Sequence, residues 1–385
     1  MQNFTFFNPT KILFGRGRIA DLAKEIPAGQ RVLITYGGGS VVANGTLAEV
    51  RAALSHAAVT EFGGIEPNPS FETLMGAVQL ARETRSEFIL AVGGGSVMDG
   101  TKFIAAAVPF PGEDPWDLVT RKAPVQAALP FGVVLTLPAT GSEMNSGAVI
   151  TRKSLGAKLA FGSPLLFPRF SVLDPTKTYT LPPRQIANGV VDAFVHTVEQ
   201  YLTFPTYAPV QDQFSESLLR TLIDVGPITL REPLQYEARA AFVWAATLAL
   251  NGLIGAGVPQ DWATHMIGHE LTAKFGLDHA QSLAVVLPAM LEERFEAKRD
   301  KLVQYAERVW NLREGDAETR AHQAIRQTRA FFESLGVKTR LTDYGIQASD
   351  IQGLVAALET HGMKALGEKK DVTLDVSRRV LERAL

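Results

Sequence analysis

The sequence predicts an α/β dinucleotide-binding domain with a parallel sheet over residues 1–182 and an all-helical metal-binding domain over 183–385. Three observations carry this. The first half alternates short apolar runs with segments of helical spacing, the pattern of βαβ units. The word GGGSV occurs twice, at 37–41 and 93–97, each time after a strand-like run. Beyond Pro182-Pro183 the strand signal fades and long helical segments take over.

Taken in order, RVLITY (31–36), SEFILAV (86–92) and FGVVLTLPAT (131–140) read as buried strands. Their continuous apolar character fits a sheet covered on both faces. LAEVRAALSHA (47–57) and VMDGTKFIAAAV (97–108) read as helices. In the second half, helical spacing predicts helices over 184–202, 210–225, 236–250, 261–274, 279–311, 316–335, 349–361 and 372–384. Gly226-Pro227, Gly276 and Gly336 punctuate them.

Composition narrows the function. The 385 residues are 46% hydrophobic and 20% charged, with a net charge of −2. No basic stripe supports nucleic-acid or anionic-membrane binding. Without cysteine there is no disulfide, thiolate metal site or cysteine nucleophile. The start, MQNFTFFNPTKILFG, lacks the arrangement of a secretory signal, so a cytoplasmic location is expected. AAFVWAATLALNGLIGAGV (240–258) is uncharged for nineteen residues, but its second half is crowded with glycine and asparagine. It is expected to be a buried helix followed by a loop.

A glycine run between strand and helix lets the backbone turn and lets a ligand approach. The helix start then offers free N–H groups and a positive dipole end to phosphate. Gly93, Gly94, Gly95 and Ser96 stand in that position. A second such loop suits a ligand with two separated parts, and a dinucleotide has them. The first loop, ITYGGGSVVANG (34–45), contains no acidic residue to take ribose hydroxyls. That favours NADP(H) over NAD.

Four of the seven histidines fall within 196–279. Asp192 and His196 are spaced four apart, as are His265 and His269, and His279 follows past Gly276. Carboxylate and imidazole on helical faces predict a site for one divalent metal, zinc or iron. His56, His322 and His361 lie in polar surroundings and are expected to be solvated.

GGIEPNPS (63–70), AVGGGSVMDGTKF (91–103), LPATGSE (137–143), VVDAFVHTVEQY (190–201) and THMIGHEL with LDHA (264–280) together resemble the iron-containing (group III) alcohol dehydrogenases, in particular bacterial NADPH-dependent aldehyde reductases and butanol dehydrogenases. The resemblance runs the whole length. It implies Asp192, His196, His265 and His279 as metal ligands, for zinc, iron or manganese, with His269 near them but not a ligand. For the proton that the alkoxide needs, the candidate is His269 or a water chain through the ribose hydroxyls. It implies that Gly94, Gly95, Ser96 and Asp99 hold the pyrophosphate and nicotinamide end. Gly37, Gly38, Gly39 and Ser40 would face the adenosine ribose and its 2′-phosphate. Thr136, Thr140, Asn145 and Lys158 match further cofactor contacts, although the loop around PATGSE is shorter than the family's usual one. The activity implied is NADPH-linked reduction of small aldehydes to primary alcohols, in a homodimer. A polyol dehydrogenase or lyase on the same fold, or a metal or nucleotide sensor, are the alternatives. The missing carboxylate in the first loop speaks against NAD, and the chain has no third domain to act as a sensor's output.

Overall fold

Strands form where apolar residues run without interruption. In the computed structural model, which describes residues 1–385, two units are present: Phe7–Leu181, and Pro182–Leu385 together with Met1–Phe6.

In the first unit the strands are β1 (Lys11–Phe14), β2 (Arg31–Tyr36), β3 (Ala58–Phe62), β4 (Phe88–Gly93), β5 (Phe131–Leu135), β6 (Gly147–Arg152), β7 (Ala157–Gly162) and β8 (Phe170–Leu173). Six of them make one sheet, in the order β1-β8-β5-β4-β2-β3, with every pair parallel. β4, β5 and β8 are buried along their whole length. β1, β3 and β8 are not recognised from sequence: exposed positions break the apolar run in the edge strands β1 and β3, and β8 is only four residues long. β6 and β7 pair antiparallel in a separate hairpin. The helices are α1 (Leu22–Glu25), α2 (Ser40–Ala43), α3 (Thr46–Ala53), α4 (Phe71–Glu83), α5 (Gly95–Ala107) and α6 (Trp116–Val119).

The order of strands has a functional consequence. After β2 the chain moves outward to β3, then returns across β2 to β4. The strand order therefore reverses between β2 and β4, and crevices that bind ligands form at such a point, at the carboxyl ends of the strands. Both GGGSV words lie there, one after β2 and one after β4.

The second unit consists of α7 (Pro183–Tyr201), α8 (Pro209–Arg231), α9 (Tyr236–Ala249), α10 (Ala263–Phe275), α11 (His279–Glu293), α12 (Phe295–Arg308), α13 (Ala317–Ser334), α14 (Ala348–Thr360) and α15 (Leu374–Arg383). α7 starts at a proline, where the missing N–H costs nothing, and is buried almost throughout from Ile186 to Tyr201. The apolar 240–258 segment is the end of α9 followed by a turn-rich loop, and no helix is long and apolar enough to cross a membrane. Three details differ from the sequence reading. The helix expected over 279–311 breaks at Arg294 into α11 and α12. The helix expected over 210–225 continues through Pro227 to Arg231. A short hairpin, β9 (Ala365–Leu366) with β10 (Val372–Thr373), interrupts the helices; two-residue strands are too brief to show periodicity.

One core position tests the sheet. Gly132 lies on β5 opposite Phe170 of β8, and the Phe170 ring folds over it. A Cβ at Gly132 would lie 2.4 Å from that ring, which also stacks on Phe88 at 5.8 Å. Gly132→Ala is expected to lower the unfolding free energy by about 1–3 kcal/mol through overpacking, measured by urea denaturation.

Candidate functional site

α7, α10 and α11 build the histidine site. α7 presents Asp192 and His196 one turn apart, both buried. α10 presents His265 and His269, also one turn apart and buried. Gly276, at φ 72°, ends α10 in the left-handed conformation that glycine adopts without strain, and the chain turns straight into α11. Asp278 caps α11 in a capping box with Gln281 and also accepts hydrogen bonds from Arg184 and Asn188 of α7. His279, the first residue of α11, is thereby pinned against α7. Gly268 permits the close approach of α10 and α11, since a Cβ there would lie 2.9 Å from Ser282 Oγ and 3.2 Å from Leu283.

The result is convergence on one atom. Asp192 Oδ1 lies 3.7 Å from His196 Nε2, 4.0 Å from His265 Nε2 and 3.6 Å from His279 Nε2. Asp192, His265 and His279 offer donor atoms that all lie within 4.8 Å of one another. A tetrahedral ion with bonds of about 2.1 Å needs neighbouring donors about 3.4 Å apart. The separations from Asp192 sit just above that edge, and the mutually close donors are one carboxylate and two imidazoles, so Asp192, His265 and His279 fit a divalent zinc- or iron-type ion; His196 meets Asp192 but lies outside this close group. His269 stands beside the set, its ring 5.4 Å from that of His279 and 6.4 Å from that of His265.

The surroundings contain residues that the sequence reading missed. Glu199, buried on α7, contacts His265 Nδ1 with one oxygen and accepts the Thr264 N–H at 2.7 Å with the other. Burial pushes the Glu199 carboxyl well above its ordinary pKa, with the nearby Asp261 charge adding to the shift. Asp261 belongs to a second buried group. Lys298 Nζ lies 2.6 Å from Asp261 Oδ2 and 3.0 Å from Glu368 Oε1, and donates to Leu202 O at 2.6 Å. Burial opposes the Lys298 charge, but Asp261 and Glu368 outweigh it and hold its pKa above the ordinary value. The signal for Glu199 was present in the sequence, since it follows Asp192 by two helical turns and so shares its face.

The three remaining histidines were expected to be solvated; His361 is exposed and His56 and His322 are half-buried, and each also meets a protein partner. His56 Nε2 pairs with Ile26 O at 2.8 Å, and His361 Nδ1 lies 2.7 Å from Glu270. His322 stacks on Phe295 at 3.9 Å and reaches Glu292.

In the α/β unit the two glycine loops lie at the ends of neighbouring parallel strands. The 63–70 segment bridges them. Gly64 N donates to Gly37 O, and Asn68 N donates to Ser96 Oγ at 3.3 Å. Asn68 also receives Lys158 Nζ at 2.9 Å, which gathers Ser96, Asn68 and Lys158 at the start of α5. Gly38 has no heavy atom within 4 Å of the place a Cβ would take, and Gly39 adopts φ 106° before Ser40 opens α2. Gly93, Gly94 and Gly95 differ. Cβ atoms there would lie 2.6 Å from Val97, 2.9 Å from Leu137 and 2.5 Å from Thr140. The protein's own packing requires those three glycines, which the sequence argument had tied to ligand approach.

Thr136 and Thr140 lie just past β5, and Thr136 N bonds to Gly93 O. Asp99 and Asn145 are engaged by the protein. Asp99 accepts from Ser142 Oγ at 2.7 Å and Val149 N at 2.9 Å. Asn145 Oδ1 accepts from Lys102 Nζ at 2.9 Å and Gly147 N at 3.1 Å. Lys102, fully buried, also donates to Ser142 Oγ and Gly147 O. It ties α5 to the 140–147 loop and was not singled out from sequence.

The family model described as iron-containing alcohol dehydrogenase matches residues 9–175, and that of the family's C-terminal part matches 186–371. This chain belongs to the iron-containing alcohol dehydrogenase family. It is 62% identical to the NADPH-dependent aldehyde reductase YqhD of Escherichia coli K12, covering 100% of both chains. A crystal structure of that YqhD superposes with a TM-score of 0.98 at 61% identity, covering 100% of this chain and 99% of the other. The NADH-dependent butanol dehydrogenase A of Thermotoga maritima superposes at 0.96 with 34% identity and the same coverage. Like these relatives, this member of the family pairs a parallel-sheet unit with a helical one.

Burial pushes the Lys102 ammonium down to about 8 from 10.5, with Asp99 and Glu143 opposing the shift. The burial penalty is fully present below pH 8 and is relieved as pH rises from 8 to 10.5, because the unfolded chain binds the proton more tightly there. Lys102→Met is expected to be less stable than the parent, which keeps three acceptors satisfied. Urea midpoints across that window should show the gap widening as pH rises.

Proposed function

We propose that this chain is a divalent-metal-dependent, NADPH-linked aldehyde reductase that converts varied short-chain aldehydes to primary alcohols and also runs the reverse reaction. The observation that carries it is the convergence of three imidazole nitrogens on Asp192 Oδ1 in a chain of this family. Full-length 62% identity to an NADPH-dependent aldehyde reductase supports the coenzyme and the substrate class.

When bound, the metal supplies Lewis acidity to the carbonyl oxygen and NADPH supplies the hydride. Asp192, His196, His265 and His279 would hold the ion; zinc, iron and manganese all suit such a set and compete by supply as much as by ligand type. His269 holds the proton that the product oxygen requires. The amides of Gly94, Gly95 and Ser96 at the start of α5 take the pyrophosphate. Gly37, Gly38, Gly39 and Ser40 accommodate the 2′-phosphate, and Thr136, Thr140 and Lys158 flank the cofactor. Asp99 and Asn145 act at one remove, by shaping the loop over residues 140–147. A cytoplasmic homodimer without a nucleic-acid partner accompanies this reading, in keeping with a net charge of −2.

The coenzyme assignment is tested at Gly38, where there is room for a side chain. Gly38→Asp should cut the preference for NADPH over NADH in kcat/KM by about tenfold or more, since a carboxylate repels the 2′-phosphate and accepts from ribose hydroxyls. Equal use of both coenzymes by the parent protein would remove the basis for this assignment.

The metal roles separate by variant. His279→Ala should purify with depleted metal, and added zinc should restore butanal reduction poorly. His269→Ala should retain parental metal content but show a lower kcat or a shifted pH profile. Chelation should abolish reduction in the parent while NADPH binding persists. A metal-depleted His269→Ala with a fully loaded His279→Ala would reverse the two assignments.

A further inference from the structure

Glu199 has no part in the assignments above, yet it touches a proposed metal ligand. Its side chain is 3% exposed. One oxygen meets His265 Nδ1, and the other accepts the Thr264 N–H at 2.7 Å. We propose that Glu199 is a positioning residue that holds the proton of His265 on Nδ1, leaving Nε2, which faces Asp192, as the bare lone pair a metal requires. This inference rests on the metal-site reading.

A neutral imidazole carries one donor and one acceptor nitrogen, and only the acceptor can ligate. The partner of the remote nitrogen determines which is which. Glu199 sits between two donors. One is a backbone N–H, whose direction cannot change. In its ionised form the carboxylate serves both, because each of its oxygens accepts, and a cation held at Nε2 would favour that form against the burial that raises its pKa. A glutamine of the same size cannot. With its oxygen on Thr264, its NH2 faces Nδ1 and drives the imidazole proton to Nε2. With the amide flipped, the NH2 opposes the Thr264 N–H, donor against donor.

The framework leaves Glu199 little room to relax. Asp261 N donates to Glu199 O at 2.9 Å, and Asp261 Oδ1 caps the start of α10 at Ala263 N. Lys298 and Glu368 anchor Asp261 from α12 and the β9–β10 hairpin. Between Asp261 and α10, Trp262 adopts φ 62°, uncommon for a bulky residue, and sets its indole edge-on to His265 at 5.2 Å. The imidazole of His265 is thus gripped at its remote nitrogen and along one face.

The test compares the zinc affinity of the full-length parent, E199Q and Asp192→Asn by competition with a chromophoric chelator, alongside NADPH binding. E199Q is expected to weaken zinc binding by about 10–100-fold, the range for loss of a carboxylate behind a metal-bound histidine. NADPH affinity should be unchanged, and Glu199→Asp, which restores two acceptors, should recover part of the zinc affinity. Parental zinc affinity in E199Q, with affinity lost in Asp192→Asn, overturns the positioning role and leaves the metal site standing. Parental affinity in both variants overturns the metal site itself. If E199Q does not fold, Glu199→Ala replaces it, with weakened zinc binding supporting the proposal and parental binding overturning it.

Discussion

A single carboxylate oxygen, Asp192 Oδ1, organises the helical unit. Three imidazole nitrogens from three helices stand 3.6–4.0 Å away from it. Polar groups gathered out of water are costly unless partnered, so the arrangement persists only inside a frame that supplies partners and prevents drift. The frame is visible at two of the imidazoles. A capping box anchored by Arg184 and Asn188 places His279, and Gly268 allows α10 and α11 to close. Glu199 grips His265 from behind.

That frame contains ion pairs whose burial needs a physical reason. Lys298, Asp261 and Glu368 are all nearly inaccessible, and removing such charges from water is expensive. Mutual compensation offsets much of the cost: one ammonium faces two carboxyl groups and a backbone carbonyl. The cluster joins α12, the β9–β10 hairpin and the start of α10. Apolar packing could fill the same space but would not fix the direction of the Asp261 and Glu199 oxygens, on which the orientation of His265 depends.

The α/β unit solves a comparable problem with one cation. Lys102 reaches from α5 to three acceptors in the 140–147 segment, while Asp99 on the same helix takes Ser142 and Val149. The glycines before α5 leave room for Val97, Leu137 and Thr140. The loop that opens α5 is therefore held from within the protein, and its first amides are presented in a preset direction, which suits an anion without reorganisation. The first glycine loop is built differently: it is open around Gly38 and has no carboxylate.

Much of this was legible in the chain. Apolar runs gave away β2, β4 and β5, the first two by ending in glycines, and i,i+4 spacing put Asp192 with His196 and His265 with His269, because both signals are local. Edge strands β1 and β3, the four-residue β8, the two hairpins and the break at Arg294 were not legible, since pairing and packing, not periodicity, create them. The partners of His56, His322 and His361 were hidden for the same reason. The sequence by itself determined the two-part architecture, the family and the residue types available for metal and phosphate. Only the tertiary structure decided that three imidazoles share one oxygen, that Asp99 and Asn145 face protein donors, and that Glu199 and Lys102 are hubs. Those outcomes depend on contacts between residues far apart in the chain, such as Glu199 with His265 and Lys102 with Asn145, and local spacing carries no record of them.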